Sequence, residues 1–279
     1  MPTADASGGG LHIVVCAKQV LDPDGVNSFA FWGRLQVGGD GRSFDTGEMV
    51  PRIINAYDEQ AVEAALRIRD AGVDCRITVV TVGDEEAGAI LKRCVAMGAD
   101  DAVQIVDAAA GLGDGFRTAR LLAGLIAELG DVDLVLCGRQ GSDYDQGTVP
   151  AALAERLGAA LVTMSAGVAV EGGTLRVVRV TPRGEEVVRA TLPAVVSISN
   201  EIGTPRYPSS RRMMQARRQR PERREASDYE GAPGAVGVEV TRLMVPDVQG
   251  HCEIIEGGSA AEKAERLMAQ LHERGLLGG

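Results

Sequence analysis

The sequence predicts an α/β protein built on a doubly wound, mainly parallel sheet, with an antiparallel hairpin addition and a protruding C-terminal arm. Three observations carry that expectation. Short unbroken runs of apolar, β-branched residues recur through the first two thirds of the chain, as strands covered on both faces require. Segments with helical spacing separate them, giving the order β-α-β-α-β-α-β. From about residue 160 the style changes to strands joined by tight Gly-containing turns, the mark of antiparallel pairing.

The elements follow in order. Leu11 to Ala17 is a strand stopped by Lys18-Gln19. Asp58 to Ala71 sets Ala61, Ala64, Ala65, Leu66 and Ile68 along one side of a helix, with Gly72 just beyond its end. Arg76 to Val82 is a strand ended by Gly83. Asp84 opens the next helix with Glu85 and Glu86 in its first turn, favourable for the helix dipole. Asp101 to Val106 is a third strand, Asp114 to Gly130 a helix on Leu121, Leu122, Leu125, Ile126 and Leu129, and Asp133 to Cys137 a fourth strand. Val168 to Val170 and Leu175 to Val180 flank a Glu171-Gly172-Gly173-Thr174 turn, and Pro182-Arg183-Gly184 turns the chain again. Leu192 to Ser199 is a buried strand entered through Pro193. Residues 203–236, rich in Pro, Arg and Gly, read as loop, followed by a strand over Gly237 to Leu243. Ala260 to Gly275 reads as an amphipathic helix on Ala264, Leu267 and Leu271.

Composition narrows the function. The 279 residues are 45% apolar and 24% charged, enough for a buried core and far from a disordered composition. A net charge of −10 and a pI near 4.9 oppose a surface made wholly for nucleic acid or anionic lipid. Aromatic residues make up only 3%, too few for a stacking platform. No apolar run approaches the roughly 18 residues of a membrane span, and MPTADASGGG has neither half of a signal peptide. The expected location is cytoplasmic, with no membrane insertion. Cys16, Cys75, Cys94, Cys137 and Cys252 are too dispersed for a disulfide framework or a thiolate metal site and read as small buried hydrophobes.

Chemistry concentrates after the fourth strand, in Gly138-Arg139-Gln140-Gly141-Ser142-Asp143-Tyr144-Asp145-Gln146-Gly147-Thr148-Val149-Pro150. Its glycines let backbone N–H groups approach an anion, Thr148 suits an N-cap, and Pro150 suits a first turn. A nucleotide phosphate at Gly147–Thr148 and a plain capped strand–helix loop both satisfy this spacing. Asp143 and Asp145 suit either Mg²⁺ or backbone capping. There is no GxxxxGK[ST]; Gly8-Gly9-Gly10 precedes the first strand, and Gly111 to Gly115 reads as a flexible lead into a helix. His12, His251 and His272 are isolated, and no nucleophile–base pair or metal motif presents itself, so no catalytic residue and no metal ligand is assigned. Between Arg211 and Arg224 lie seven arginines and one glutamate, a local charge of +6. An acidic partner surface, a solvated arm and, more remotely, nucleic acid each account for it.

Taken in order, several stretches resemble the beta subunit of electron transfer flavoproteins: Val14-Val15-Cys16-Ala17-Lys18-Gln19-Val20, Asn55 to Ala65, Ala96-Met97-Gly98-Ala99-Asp100, Asp133 to Gln140, Leu192 to Ser197, and Thr204-Pro205-Arg206-Tyr207-Pro208. The resemblance runs from about residue 11 to 275. It implies an adenine nucleotide alpha hydrolase-like fold and an electron carrier rather than a self-contained enzyme. The family's beta subunit pairs with an alpha subunit that holds most of the FAD. The heterodimer takes electrons from flavin dehydrogenases, typically acyl-CoA dehydrogenases, and passes them to a quinone oxidoreductase. The beta subunit buries a structural AMP, or in bifurcating relatives a second FAD that exchanges electrons with NADH.

By position, the resemblance places the nucleotide against Cys16, Asn55, Ala56, Tyr57, Asp58, Val82 and the loop Gly138 to Thr148, with Tyr57 near the partner's flavin. It assigns Thr204, Pro205, Arg206, Tyr207, Pro208, Ser209, Ser210, Arg211 and Arg212 to dehydrogenase recognition. Ser210 stands where many members carry a leucine anchor, and the glycine loop is one residue shorter than usual. The implied organisation is a disordered tail over 1–10, a nucleotide-binding domain over 11–202, a recognition loop and basic arm over 203–236, and a partner-contacting strand and helix over 237–279. A bifurcating subunit and a stand-alone adenine-nucleotide module of the universal stress type are the competing readings.

Overall fold

The computed structural model describes residues 10–27, 36–45, 50–107, 113–229, 237–244 and 252–277. The N-terminal tail, apart from Gly10, lies outside them, as does His251. The chain divides into two compact units, Met1–Leu243 and Met244–Gly279.

In the first unit β1 (Leu11–Cys16) is followed by β2 (Gln19–Leu21), α1 (Pro23–Asn27), β3 (Gln36–Val37), β4 (Phe44–Asp45) and β5 (Arg52–Ile54). The wound part then runs through α2 (Ala56–Asp70), β6 (Cys75–Gly83), α3 (Gly88–Met97), β7 (Asp101–Val106), α4 (Gly115–Leu129), β8 (Leu134–Gly138) and α5 (Val149–Leu157). After it come β9 (Ala160–Glu171), β10 (Thr174–Thr181), β11 (Gly184–Thr191), β12 (Ala194–Ile198), α6 (Ser210–Arg217) and β13 (Glu222–Glu225). Among the described residues nine strands form one sheet in the order β11-β10-β9-β12-β8-β1-β6-β7-β13. Every ladder from β9 to β13 is parallel, whereas β9–β10 and β10–β11 are antiparallel. The hairpin therefore extends the main sheet, as the sequence predicts.

The winding reverses once. From β1 the chain adds β6 and then β7 on one side, and returns through α4 to place β8 on the other side of β1. The in-register pair Cys16 and Cys137 marks the ends of the two strands at this reversal. Alternation along β1 serves both faces of the sheet. Ile13 and Val15 pack with Ala61, Ala65 and Ile68 of α2 and Leu91 of α3. Val14 and Cys16 pack with Leu121 and Leu125 of α4 and Leu153 of α5. Where the reversal separates the flanking helices, a crevice opens beyond the strand ends.

Several expectations need correction. The helix expected from Asp84 begins at Gly88, because Asp84 folds its carboxylate onto the Glu86 N–H (3.0 Å) and makes residues 84–87 a turn. Residues 203–236 are not all loop. Ser209 caps α6 through the Arg212 N–H (3.3 Å), and the charged strand β13 pairs in parallel with the edge of β7. Residues 237–244 form no strand: Val238 donates to Asp114 (3.1 Å) and Leu243 to the Gly41 carbonyl (2.8 Å). Histidine 12 lies in β1, its ring nitrogen 2.9 Å from the Thr78 hydroxyl, and burial lowers its pKa.

The second unit contains α7 (Ala260–Glu273), capped by Ser259 and braced by the Glu262–Arg266 pair. Glu253 accepts from Gln270 (3.1 Å) and pairs with Arg274. None of the α7 residues is buried within this chain. Among the described residues no helix is long and apolar enough to cross a membrane.

Candidate functional site

A cavity of about 120 Å³ lies beyond the ends of β1 and β8, where the winding reverses. Its floor is Cys16, Val80 and Cys137. One wall is the glycine loop after β8, and the opposite wall is the start of α4. Of the residues anticipated from the sequence, Cys16, Asn55, Asp58, Val82, Gly138, Gln140, Gly141, Asp143, Tyr144, Gln146, Gly147 and Thr148 line it. Ala56, Tyr57, Arg139, Ser142 and Asp145 do not.

Two side chains from the start of α2 build this site by holding backbone. The buried Asp58 carboxylate accepts the Lys18 N–H (2.8 Å) and the Gly138 N–H (3.0 Å), tying the ends of β1 and β8 to the helix. Burial pushes its pKa up to about 7 against the pull of those donors. Asn55 clamps the loop from both directions, donating to the Gln140 carbonyl (2.8 Å) and accepting from the Ser142 N–H (3.2 Å). Gly138 is obligatory here, since a Cβ would meet the Asp58 carboxylate and lie 2.7 Å from the Tyr57 Cβ.

The loop is closed by polar latches. Lys18 pairs with Asp143 (2.6 Å) and lies 5.2 Å from the centre of the Tyr144 ring. Gln140 donates to Asp145 (2.7 Å), whose backbone is left-handed at φ +51°. Both aspartates offered above as Mg²⁺ ligands are thus engaged by the protein itself. The Cys137 thiol is raised in pKa by its Cys16 neighbour and by burial, which keeps it protonated.

Thr148 departs from its expected role. It is helical in conformation (φ −83°, ψ −29°) and makes no capping bond. Its hydroxyl oxygen is instead buried without a hydrogen-bond partner, packed against Gly115 on the opposite wall. A buried hydroxyl lining a cavity is a place for a ligand's polar group. The start of α4 is also more than a flexible lead-in: Gly113, Asp114, Gly115 and Thr118 line the cavity, and Asp114 caps the helix through the Arg117 N–H (2.9 Å). Sequence reasoning missed Lys18 as well, although it lies only two residues beyond Cys16 at the end of β1.

A second group of anticipated residues lies along the outer side of α2. Arg206 is held by Glu63 (2.8 Å) and Asp70 (2.6 Å), Pro208 is buried, and Tyr207 is 81% exposed, with Arg93 5.5 Å from its ring centre. Thr204, Ser209, Ser210 and Arg211 are exposed. The arginine run divides. Arg212 donates to the Met97 carbonyl (3.1 Å), Arg223 pairs with Glu85 (2.6 Å) and Arg224 with Glu128 (2.8 Å). Arg211, Arg217, Arg218 and Arg220 are exposed, and their side chains have no hydrogen bond or ion pair among the described residues. Tyr57, half-buried, stacks under Arg139 at 5.4 Å.

Comparison with known proteins gives one consistent result. Residues 47–229 match the family described as electron transfer flavoprotein domain. The caffeyl-CoA reductase–Etf complex subunit CarD of Acetobacterium woodii is 34% identical over 272 residues, 96% of this chain and 100% of that protein. Electron transfer flavoprotein subunit beta of Megasphaera elsdenii is 30% identical over 277 residues, covering 93% and 99% of the two chains. Its counterpart in Clostridium acetobutylicum is 32% identical over 268 residues, covering 94% and 98%.

Proposed function

The chain belongs to the electron transfer flavoprotein family, in its beta-subunit branch, and from that premise we propose that it forms a heterodimer with an alpha subunit and buries an AMP in the cavity beyond the ends of β1 and β8. In this reading the complex is cytoplasmic. It carries electrons from flavin dehydrogenases of the acyl-CoA dehydrogenase type to a quinone oxidoreductase. FAD, held mostly by the alpha subunit, supplies the electron-carrying ring.

The observation that carries the nucleotide assignment is the buried, unpartnered Thr148 hydroxyl in a glycine-lined crevice at the reversal of the sheet. The residues present suit an adenine nucleotide. Gly147, at φ +61°, and Thr148 lead into the N-terminus of α5, where backbone N–H groups favour a phosphate. Lys18 supplies a cation at the same wall, and Cys16, Val80 and Cys137 supply the apolar floor. Asn55 and Asp58 hold the loop and the strand ends, so their part is architectural.

A second reading rests on the similarity to a subunit of a caffeyl-CoA reductase–Etf complex. In this second reading the cavity takes a second FAD and the chain serves a bifurcating complex that uses NADH. Denaturing the natively purified complex and weighing the released nucleotides decides between them. FAD and AMP in equal amounts support the simple carrier; FAD alone, at twice the amount, supports bifurcation. No flavin at all overturns both.

A further inference from the structure

Glu63 lies in the middle of α2 on the side turned away from Ala61, Ala65 and Ile68, yet only 5% of it reaches solvent. A glutamate on the outer side of a helix ordinarily points into water. This one is covered by residues 202–206, and its carboxylate receives four donors. Arg67 gives Nε (2.9 Å), and Arg206 gives its backbone N–H (3.0 Å), Nε (2.8 Å) and Nη2 (3.2 Å). Burial alone would raise its pKa, but the Arg206 and Arg67 donors outweigh it and hold the carboxyl below its ordinary range.

Neighbouring contacts form one stripe. Glu59, Glu63, Arg67 and Asp70 recur at helical spacing along α2. Glu59 holds Arg93 (2.5 Å), against which Tyr207 lies. Arg67 donates to the Ile202 carbonyl (2.7 Å), and Asp70 takes the far end of Arg206. The covering residues 203–209 belong to no helix or strand. Their placement rests on these side-chain bonds, with Glu63 at the centre.

We propose that Glu63 is the positioning residue of residues 203–212, fixing Arg206 so that Tyr207 and the start of α6 face a flavin dehydrogenase in one orientation. The proposal rests on the partner reading given above.

The test uses the intact complex with its alpha subunit and an acyl-CoA dehydrogenase that reduces the wild type. Glu63→Ala is expected to speed amide exchange at Arg206 and its neighbours about tenfold, and to raise KM for the complex about tenfold at unchanged kcat. Glu63→Gln keeps one acceptor oxygen and is expected to fall between; it carries both readouts if the alanine variant fails to fold. Unchanged exchange in both variants overturns the tether. Faster exchange with unmoved KM overturns the positioning role, and Tyr207→Ala then separates the two ideas. If Tyr207→Ala raises KM, partner recognition stands without Glu63. If it does not, the recognition reading falls as well.

Discussion

The Asp58 carboxylate holds the Gly138 N–H at 3.0 Å, so the first turn of α2 is fastened to the end of a strand eighty residues further along the chain. Both oxygens of Asp58 accept backbone donors, and the cavity depends on the two strand ends it gathers. In Asp58→Asn an amide N–H₂ faces one of those donors. The substitution is expected to cost about 1–3 kcal/mol of stability, measured by urea unfolding at pH 7.

The same residue gives a pH dependence of defined sign. The folded protein raises the Asp58 pKa from 3.8 to about 7, so it binds a proton more tightly than the unfolded chain does. That preference favours folding at low pH and is lost as pH rises through this interval. Wild-type stability relative to Asp58→Asn should therefore fall between pH 4 and pH 7 and level off above. Paired unfolding curves across that range check it; a difference that grows with pH would contradict the burial argument.

Thr148→Val keeps the shape of the side chain and removes only its hydroxyl. Because that oxygen has no protein partner, the ligand-free protein should be unchanged in stability or slightly more stable. Adenine-nucleotide affinity should fall about tenfold, measured by calorimetry on stripped protein. Thr148→Arg, which fills the cavity, should abolish retention of the nucleotide.

Lys18 and Gly115 separate affinity from folding. The Lys18–Asp143 pair is partly exposed, with 40% and 28% of its side chains accessible. Lys18→Met should thus change stability by no more than about 0.5 kcal/mol while lowering nucleotide retention several-fold. Gly115→Ala drives a methyl into the Thr148 hydroxyl and should cost about 1–3 kcal/mol. Thermal unfolding with and without added AMP distinguishes them.

Arg211, Arg217 and Arg218 are exposed and unpaired among the described residues. Changing all three to Glu should slow association with an acidic dehydrogenase surface about tenfold at low ionic strength. Stopped-flow rates across a salt series should converge near 0.5 M, where roughly 4 Å of Debye screening remains.

The wound sheet was legible because its strands are apolar runs and its helices carry clear stripes. Ile13, Val15 and the alanines of α2 show the logic in the sequence itself. β13 was not legible, since Glu222-Arg223-Arg224-Glu225 has no apolar signal and becomes a strand only by pairing with the edge of β7. The glycine loop could be located from its spacing, but its geometry could not. Thr148 lacks its expected capping bond, and the opposite wall at Gly113 to Gly115 comes from a distant segment. Lys18 was hidden for the same reason: its partner Asp143 is far away in the sequence. Arg206 was visible as part of a motif, whereas Glu63 looked like any solvent-facing glutamate until the chain folded over it.

Helix α2 performs two unrelated jobs on separate parts of its surface. Asn55 and Asp58 at its beginning secure the crevice, while Glu59, Glu63, Arg67 and Asp70 secure the outer segment. The side chains of the two sets share no hydrogen-bond or ion-pair partner among the described residues. Under the proposed function, the surface that meets a protein partner and the crevice that holds a nucleotide are anchored through one helix by different residues, so that each is free to change without the other.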